Sequence, residues 1–126
     1  MGVADAVILF GHGARDPEWA GPMRRTRERI LAEAPGLRVE LAFLEFMEPR
    51  LDELLDRLAA DGAREVSVVP MFLAQGGHLK RDLPALIAAA GARHPDMRIM
   101  LGAAVGEDEG VVAAMAARAL AGARGG

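Results

Sequence analysis

Cysteine is absent from this chain, which removes disulfides, thiolate metal sites and a cysteine nucleophile from consideration. No apolar run approaches the roughly 18 residues of a membrane span, and the first residues lack the basic segment and long apolar stretch of a secretory signal. Basic excess is missing too: 15 Lys and Arg stand against 18 Asp and Glu, for a net charge of −3 and a pI near 5.6. A nucleic-acid partner would call for a basic stripe instead. No linker and no low-complexity stretch beyond alanine-rich helices interrupts the 126 residues. With 52% hydrophobic and 26% charged residues, disorder is excluded for most of the chain. The expectation is one domain spanning residues 1–126, cytoplasmic, with neither nucleic acid nor membrane as partner.

Against that background the stretch Ala6-Val7-Ile8-Leu9-Phe10-Gly11-His12-Gly13-Ala14-Arg15-Asp16-Pro17 stands out. Ala6 to Phe10 reads as a strand buried on both faces. It stops at one of only three histidines, set between two glycines, an arrangement that presents an imidazole better than it fills a core. Asp16 and Pro17 then supply an N-cap and a first-turn proline for a helix carrying Trp19, Met23, Ile30 and Leu31, which Pro35-Gly36 ends. Arg38 to Phe43 gives a second strand. Pro49 opens the next helix, where Leu51, Leu54, Leu55 and Leu58 keep strict helical spacing up to Gly62. Glu65 to Val69 is the third strand, with Pro70 at its exit. The third helix starts either near His78, bending at Pro84, or near Asp82 with Pro84 in its first turn. Arg98 to Leu101 is a fourth strand, and a last helix from Glu107 to about Ala121 carries Val111, Val112, Met115 and Leu120. Strands and helices alternating with short connections predict an α/β fold: a small four-stranded parallel sheet with helices on both faces.

In such sheets ligands bind beyond the carboxyl ends of the strands, near the reversal of strand order. The residues expected there are His12 and Arg15 after the first strand, Glu45 and Glu48 after the second, and Gln75, Gly76, Gly77, His78, Lys80 and Arg81 after the third. Two imidazoles and a carboxylate without cysteine suit a divalent first-row metal. Glu45, interrupting an apolar run, is a better ligand candidate than Glu48, which reads as a helix-start carboxylate. Arg15, Lys80 and Arg81 are ordinary solvated charges unless an anionic substrate meets them there. Gly76-Gly77 is either a phosphate nest or a flexible turn. His94 belongs to the opposite rim, at a helix C-terminus.

Three ordered blocks carry a resemblance across nearly the whole chain: Leu9-Phe10-Gly11-His12-Gly13-Ala14-Arg15-Asp16-Pro17, Phe43-Leu44-Glu45-Phe46-Met47-Glu48-Pro49, and Val69-Pro70-Met71-Phe72-Leu73 through Gly77-His78 to Asp82-Leu83-Pro84. They resemble the small sirohydrochlorin chelatases, the CbiX family. The resemblance implies a class II chelatase half-unit that pairs as a homodimer. It also implies insertion of Co²⁺, Fe²⁺ or Ni²⁺, the metal being substrate and no organic cofactor being needed, into a sirohydrochlorin-type tetrapyrrole on the way to cobalamin, sirohaem or coenzyme F430. His12 and His78 then fall on the metal-site histidines and Glu45 on their acidic partner, as catalytic and metal residues together. Arg15, Gly76, Gly77, Lys80 and Arg81 become substrate contacts, with Met71, Phe72 and Leu73 either facing the ring or packing in the core. The glycines beside His12 would leave room for a flat macrocycle. Ala14 stands where the family often has serine.

Two rival readings use the same residues. A histidine-based phosphatase would use the first loop, but such enzymes usually carry arginine directly before the histidine, and here that residue is Gly11. A non-catalytic divalent-metal carrier would bind through the same His/His/Glu set without turnover.

Overall fold

Strand β1 (Ala6–Gly11) runs through the interior of the sheet, with its last four positions, Ile8 to Gly11, all buried. In the computed structural model, which describes residues 4–125, it pairs in parallel with β2 (Arg38–Phe43) on one side and β3 (Glu65–Pro70) on the other. The short β4 (Arg98–Leu101) adds to the far side of β3, giving an all-parallel sheet in the order β2-β1-β3-β4. The period-two pleat divides the apolar residues of each strand between the two faces. Ile8, Phe10, Val66 and Val68 turn to one face, where α2 (Leu51–Ala60) supplies Leu51, Leu54, Leu55 and Leu58, and α3 (Gly77–Arg93) supplies Leu79, Leu83 and Ala90. Leu9, Val39 and Phe43 turn to the other, beneath Ala20 and Met23 at the start of α1 (Gly21–Glu33). Helices thus lie on both faces, as the alternation predicts.

The boundaries depart from expectation where proline is involved. Asp16 caps Glu18 at 2.9 Å, but the turn it begins is a 3-10 turn, Pro17–Ala20, and α1 starts only at Gly21. Pro22 gives the reason: without an amide hydrogen it is accommodated in a first helical turn and not further in. Trp19, in the 3-10 turn, is 41% exposed rather than part of a buried helix face. Pro49 does not open α2. Its carbonyl accepts the Phe43 amide at 3.0 Å, so the chain runs beside β2 until Arg50 caps a helix beginning at Leu51. At α3 the earlier start holds: the helix begins at Gly77 and runs through Pro84. The last helix, α4 (Glu109–Ala123), starts two residues later than expected, because Val105–Glu107 forms a second 3-10 turn and Asp108 caps Gly110. None of the residues of α4 is buried.

Candidate functional site

The sheet order reverses between β1 and β3, since the chain passes from β1 outward to β2 and then returns to the other flank of β1. Beyond their carboxyl ends the parallel ladder continues into the loops. Leu44 donates its amide to the Gly11 carbonyl and Glu45 donates to the His12 carbonyl, both at 3.0 Å, while Met71 donates to Phe10 at 2.7 Å. The loops after β1, β2 and β3 are therefore zipped together by backbone bonds, and His12 stands at their centre.

Each neighbour of His12 fixes it in a different way. Gly13 adopts a φ of +89°, and a Cβ there would overlap the Glu45 carbonyl, so only glycine allows the two loops to meet. Gly11 packs beneath Met23 and Trp19. The spaces beside these glycines are already taken by the protein, which corrects the expectation that they leave room for a macrocycle. The His12 ring instead lies against Phe72, with centroids 4.5 Å apart, and Phe72 in turn meets Phe10 edge-on at 5.6 Å. Phe72 is buried and Leu73 is 69% exposed, so of the apolar loop residues Phe72 supports the imidazole and Leu73 faces solvent. His12 itself is exposed.

Glu45 is exposed directly beside His12, whereas Glu48 lies two residues past Phe46, before Pro49, along a cleft lined by Arg24, Arg27 and Glu40. His78, also exposed, is the second residue of α3. Among the described residues no three His, Asp or Glu side chains are gathered closely enough to hold an ion. Backbone bonds join His12 to Glu45, while His78 stands on the third loop's helix without closing a ligand set with them. Gly76 and Gly77 have open space where a side chain would be, and Gly76 serves as the N-cap of α3. That helix has no acidic residue in its first turn but carries Lys80 there and Arg81 directly after it, the sign opposite to what a helix N-terminus prefers.

Phe46 has no counterpart among the residues singled out in the sequence. It is held at φ 67°, is 53% exposed, and lies under the Arg15 guanidinium, which sits 4.8 Å from its ring centroid. A bulky side chain in the left-handed region is a strained choice, of the kind that gathers at working sites. The sequence shows only an aromatic continuing the apolar run that Glu45 interrupts; its exposure, its left-handed backbone and its arginine come from the structure. His94 is confirmed at the opposite rim, where its Nε2 lies 2.6 Å from Asp56. A cleft of about 330 Å³ between Arg64, Arg93 and His94 lies at that same far end.

A doubly wound parallel sheet that carries a glycine-framed histidine and a bonded glutamate at its switch point defines a class: an α/β unit built to present imidazole and carboxylate at one rim. The CbiX family model matches residues 6–121, and the chain belongs to that family. It is 35% identical over 83 residues to the sirohydrochlorin cobaltochelatase of Methanococcus aeolicus, covering 66% of this chain and 58% of that one. With the sirohydrochlorin ferrochelatase of Bacillus subtilis it shares 30% identity over 117 residues, 87% of this chain but 42% of the relative. Among solved structures, a CbiX protein from Marinobacter aquaeolei superposes with a TM-score of 0.81 at 28% identity, covering 96% of this chain and 98% of that one. The chain thus spans about half the length of the curated relatives it matches.

Proposed function

We propose that this chain is a sirohydrochlorin chelatase, inserting Co²⁺, or Fe²⁺ or Ni²⁺, into a carboxylate-bearing tetrapyrrole of the sirohydrochlorin type. The observation that carries the reading is the 3.0 Å bond from the Glu45 amide to the His12 carbonyl, which joins the loop of an exposed histidine to the loop of an exposed glutamate at the switch point of a CbiX-family fold. Names of relatives in both metal classes support the reaction type and leave the ion open, and imidazole with carboxylate accepts several first-row ions.

In this reading the ion is cargo. As M²⁺ enters the ring, two pyrrolic N–H bonds break, two metal–nitrogen pairs form in addition to the two from the unprotonated nitrogens, and two protons leave. His12 guides the ion and takes one proton at its free ring nitrogen, neutral imidazole being a competent base near neutral pH. His78 receives the ion on the other side of the crevice, and Glu45 takes the second proton. Phe72, packed against the His12 ring at a 40° tilt, limits the ring's freedom before the ion arrives. Arg15, Lys80 and Arg81 form no ion pair among the described residues. They meet the peripheral carboxylates of the substrate, helped by the open N-terminus of α3 with Gly76 and Gly77. Phe46 and Leu73 offer apolar surface to the macrocycle on either side of His12. A rim this flat grips a large ring from one side, so the reading includes a homodimer in which a second copy completes the enclosure.

The test is absorbance of sirohydrochlorin during incubation with the protein and Co²⁺, Fe²⁺ or Ni²⁺. A chelatase speeds the spectral change of metal insertion with at least one ion. Metal binding with no acceleration would identify a carrier, and the absence of both would remove the reading.

A further inference from the structure

Aromatic side chains are scarce in this chain, and they are gathered at one end of the sheet. There are four phenylalanines, one tryptophan and no tyrosine. Phe10 and Phe43 lie in the last two residues of β1 and β2. Trp19, Phe46 and Phe72 stand in the segments that follow β1, β2 and β3. Burial accounts for Phe10, Phe43 and Phe72, each 5% exposed or less. It does not account for the others. Outside α4, the exposed large hydrophobic side chains among the described residues are Trp19, Phe46 and Leu73, one after each of the three strands whose loops meet at His12.

Trp19 is held there by more than its place in the sequence. Its amide donates to the Asp16 carbonyl at 3.1 Å, beside the Asp16 cap on Glu18. Arg24 reaches back from α1 to the Pro17 carbonyl with both terminal nitrogens, at 3.2 and 3.1 Å. The indole therefore stands on a turn tied down at both ends, and a ligand meeting it has little freedom left to remove. Phe43 supports the ring at 6.5 Å between centroids. The ring tip, Cη2, would lie 3.1 Å from a Cβ on Gly11, the residue directly before His12. Phe43 belongs to the core on the α1 face and Phe72 to the core on the opposite face. Trp19 and the Phe72–Leu73 pair thus bracket the histidine from the two faces of the sheet.

We infer that Trp19 is a substrate-binding residue: its indole contacts the conjugated ring of the tetrapyrrole on the α1 side of His12, opposite Leu73. An indole that is 41% exposed, fixed in place and next to an imidazole suits a ligand that is flat, polarisable and polar at its edge. Arg15, over the Phe46 ring at 4.8 Å, supplies charge for that edge in the same loop. The assignment rests on the chelatase reading above, and its test separates the two.

Trp19 is the sole tryptophan, so protein grown with 5-fluorotryptophan carries a single fluorine resonance. Titration with metal-free sirohydrochlorin, followed both by absorbance and by fluorine NMR, reads binding and contact separately. The ring current of the macrocycle falls steeply with distance. An indole in contact is expected to shift, reaching its limit at the same ligand concentration as the absorbance change. Trp19→Ala is expected to raise Kd for the metal-free macrocycle about five- to tenfold, and Trp19→Phe, which keeps a ring against Gly11, to recover most of that loss. In turnover the loss should fall on KM rather than kcat. An absorbance change with the fluorine resonance unmoved, or a parent Kd in Trp19→Ala, overturns the assignment and leaves the chelatase reading standing. No absorbance change at any concentration overturns both.

Discussion

The amide of Glu45 donates to the carbonyl of His12 at 3.0 Å, continuing the β1–β2 ladder past the ends of both strands. The acid and the imidazole are thereby neighbours through the backbone before any ligand is present, and Gly13 is the residue whose missing Cβ permits it. Geometry of this kind is set by the sheet rather than by mobile side chains, so mutation can separate the chemistry from its scaffold.

His12→Ala and His78→Ala should each lower metal insertion by roughly 10²- to 10⁴-fold, the range for removing a positioned base. Both side chains are exposed, so circular dichroism and Tm should stay at the parent values. Parent rates in either variant would take that histidine out of the mechanism.

Glu45→Gln keeps the backbone bond and the side-chain volume while removing the base. Slowing of insertion by about tenfold or more is expected, with KM little changed. Glu48→Gln is the control and should turn over normally; a reversal of the two results would transfer the acidic role to Glu48.

Gly13→Ala strikes the scaffold. The new Cβ meets the Glu45 carbonyl at a φ of +89°, so the two loops must part. A loss of about 1–3 kcal/mol is expected, or roughly 3–10 °C in Tm, by calorimetry, and insertion should fall with it. Gly77→Ala, with open space around it, should leave the melting curve in place.

Phe46→Ala and Arg15→Ala test the stacked pair at 4.8 Å. If the pair holds the macrocycle, KM for sirohydrochlorin should rise several-fold while kcat changes little, since binding that is equal in ground and transition states appears in KM. Tm should hold or rise for Phe46→Gly, which suits the left-handed backbone. Unchanged KM in both variants would leave the pair without a substrate role.

Acid stability should depend on Asp56. The hydrogen bond from His94, then that from Arg93, holds its carboxyl below the usual value of 3.8. A depressed carboxylate contributes stability above its unfolded pKa and loses it as pH falls through the folded value. Asp56→Asn should therefore cost a little at pH 7, roughly 0.5 kcal/mol for so exposed a pair. The gap to the parent should close as pH drops below about 3.8. A gap that widens on acidification in thermal melts would contradict the assignment.

Much of the fold was legible because local rules and burial agree. The apolar run ending at Gly11, the leucine spacing of α2 and the alternation of strands and helices each point to the same parallel sheet, and the sheet puts His12, Glu45 and His78 at its carboxyl rim whatever the details. Boundaries at proline were less legible, since Pro22 and Pro49 are compatible with several starts and neighbouring contacts chose among them. Sequence alone therefore determined the order of the strands along the chain, the main core and which end of the sheet carries His12, Glu45 and His78, all of which follow from hydrophobic period and short connections. Only the tertiary structure decided the rest. It gave the glycines around His12 to Met23, Trp19 and the Glu45 carbonyl, and forced Phe46 into a left-handed turn beneath Arg15. It also left α4 packed mainly on the 3-10 turn before it, with none of its residues buried. Each of these depends on atoms brought together from distant segments, and a period of 2 or 3.6 residues holds no record of what it will meet.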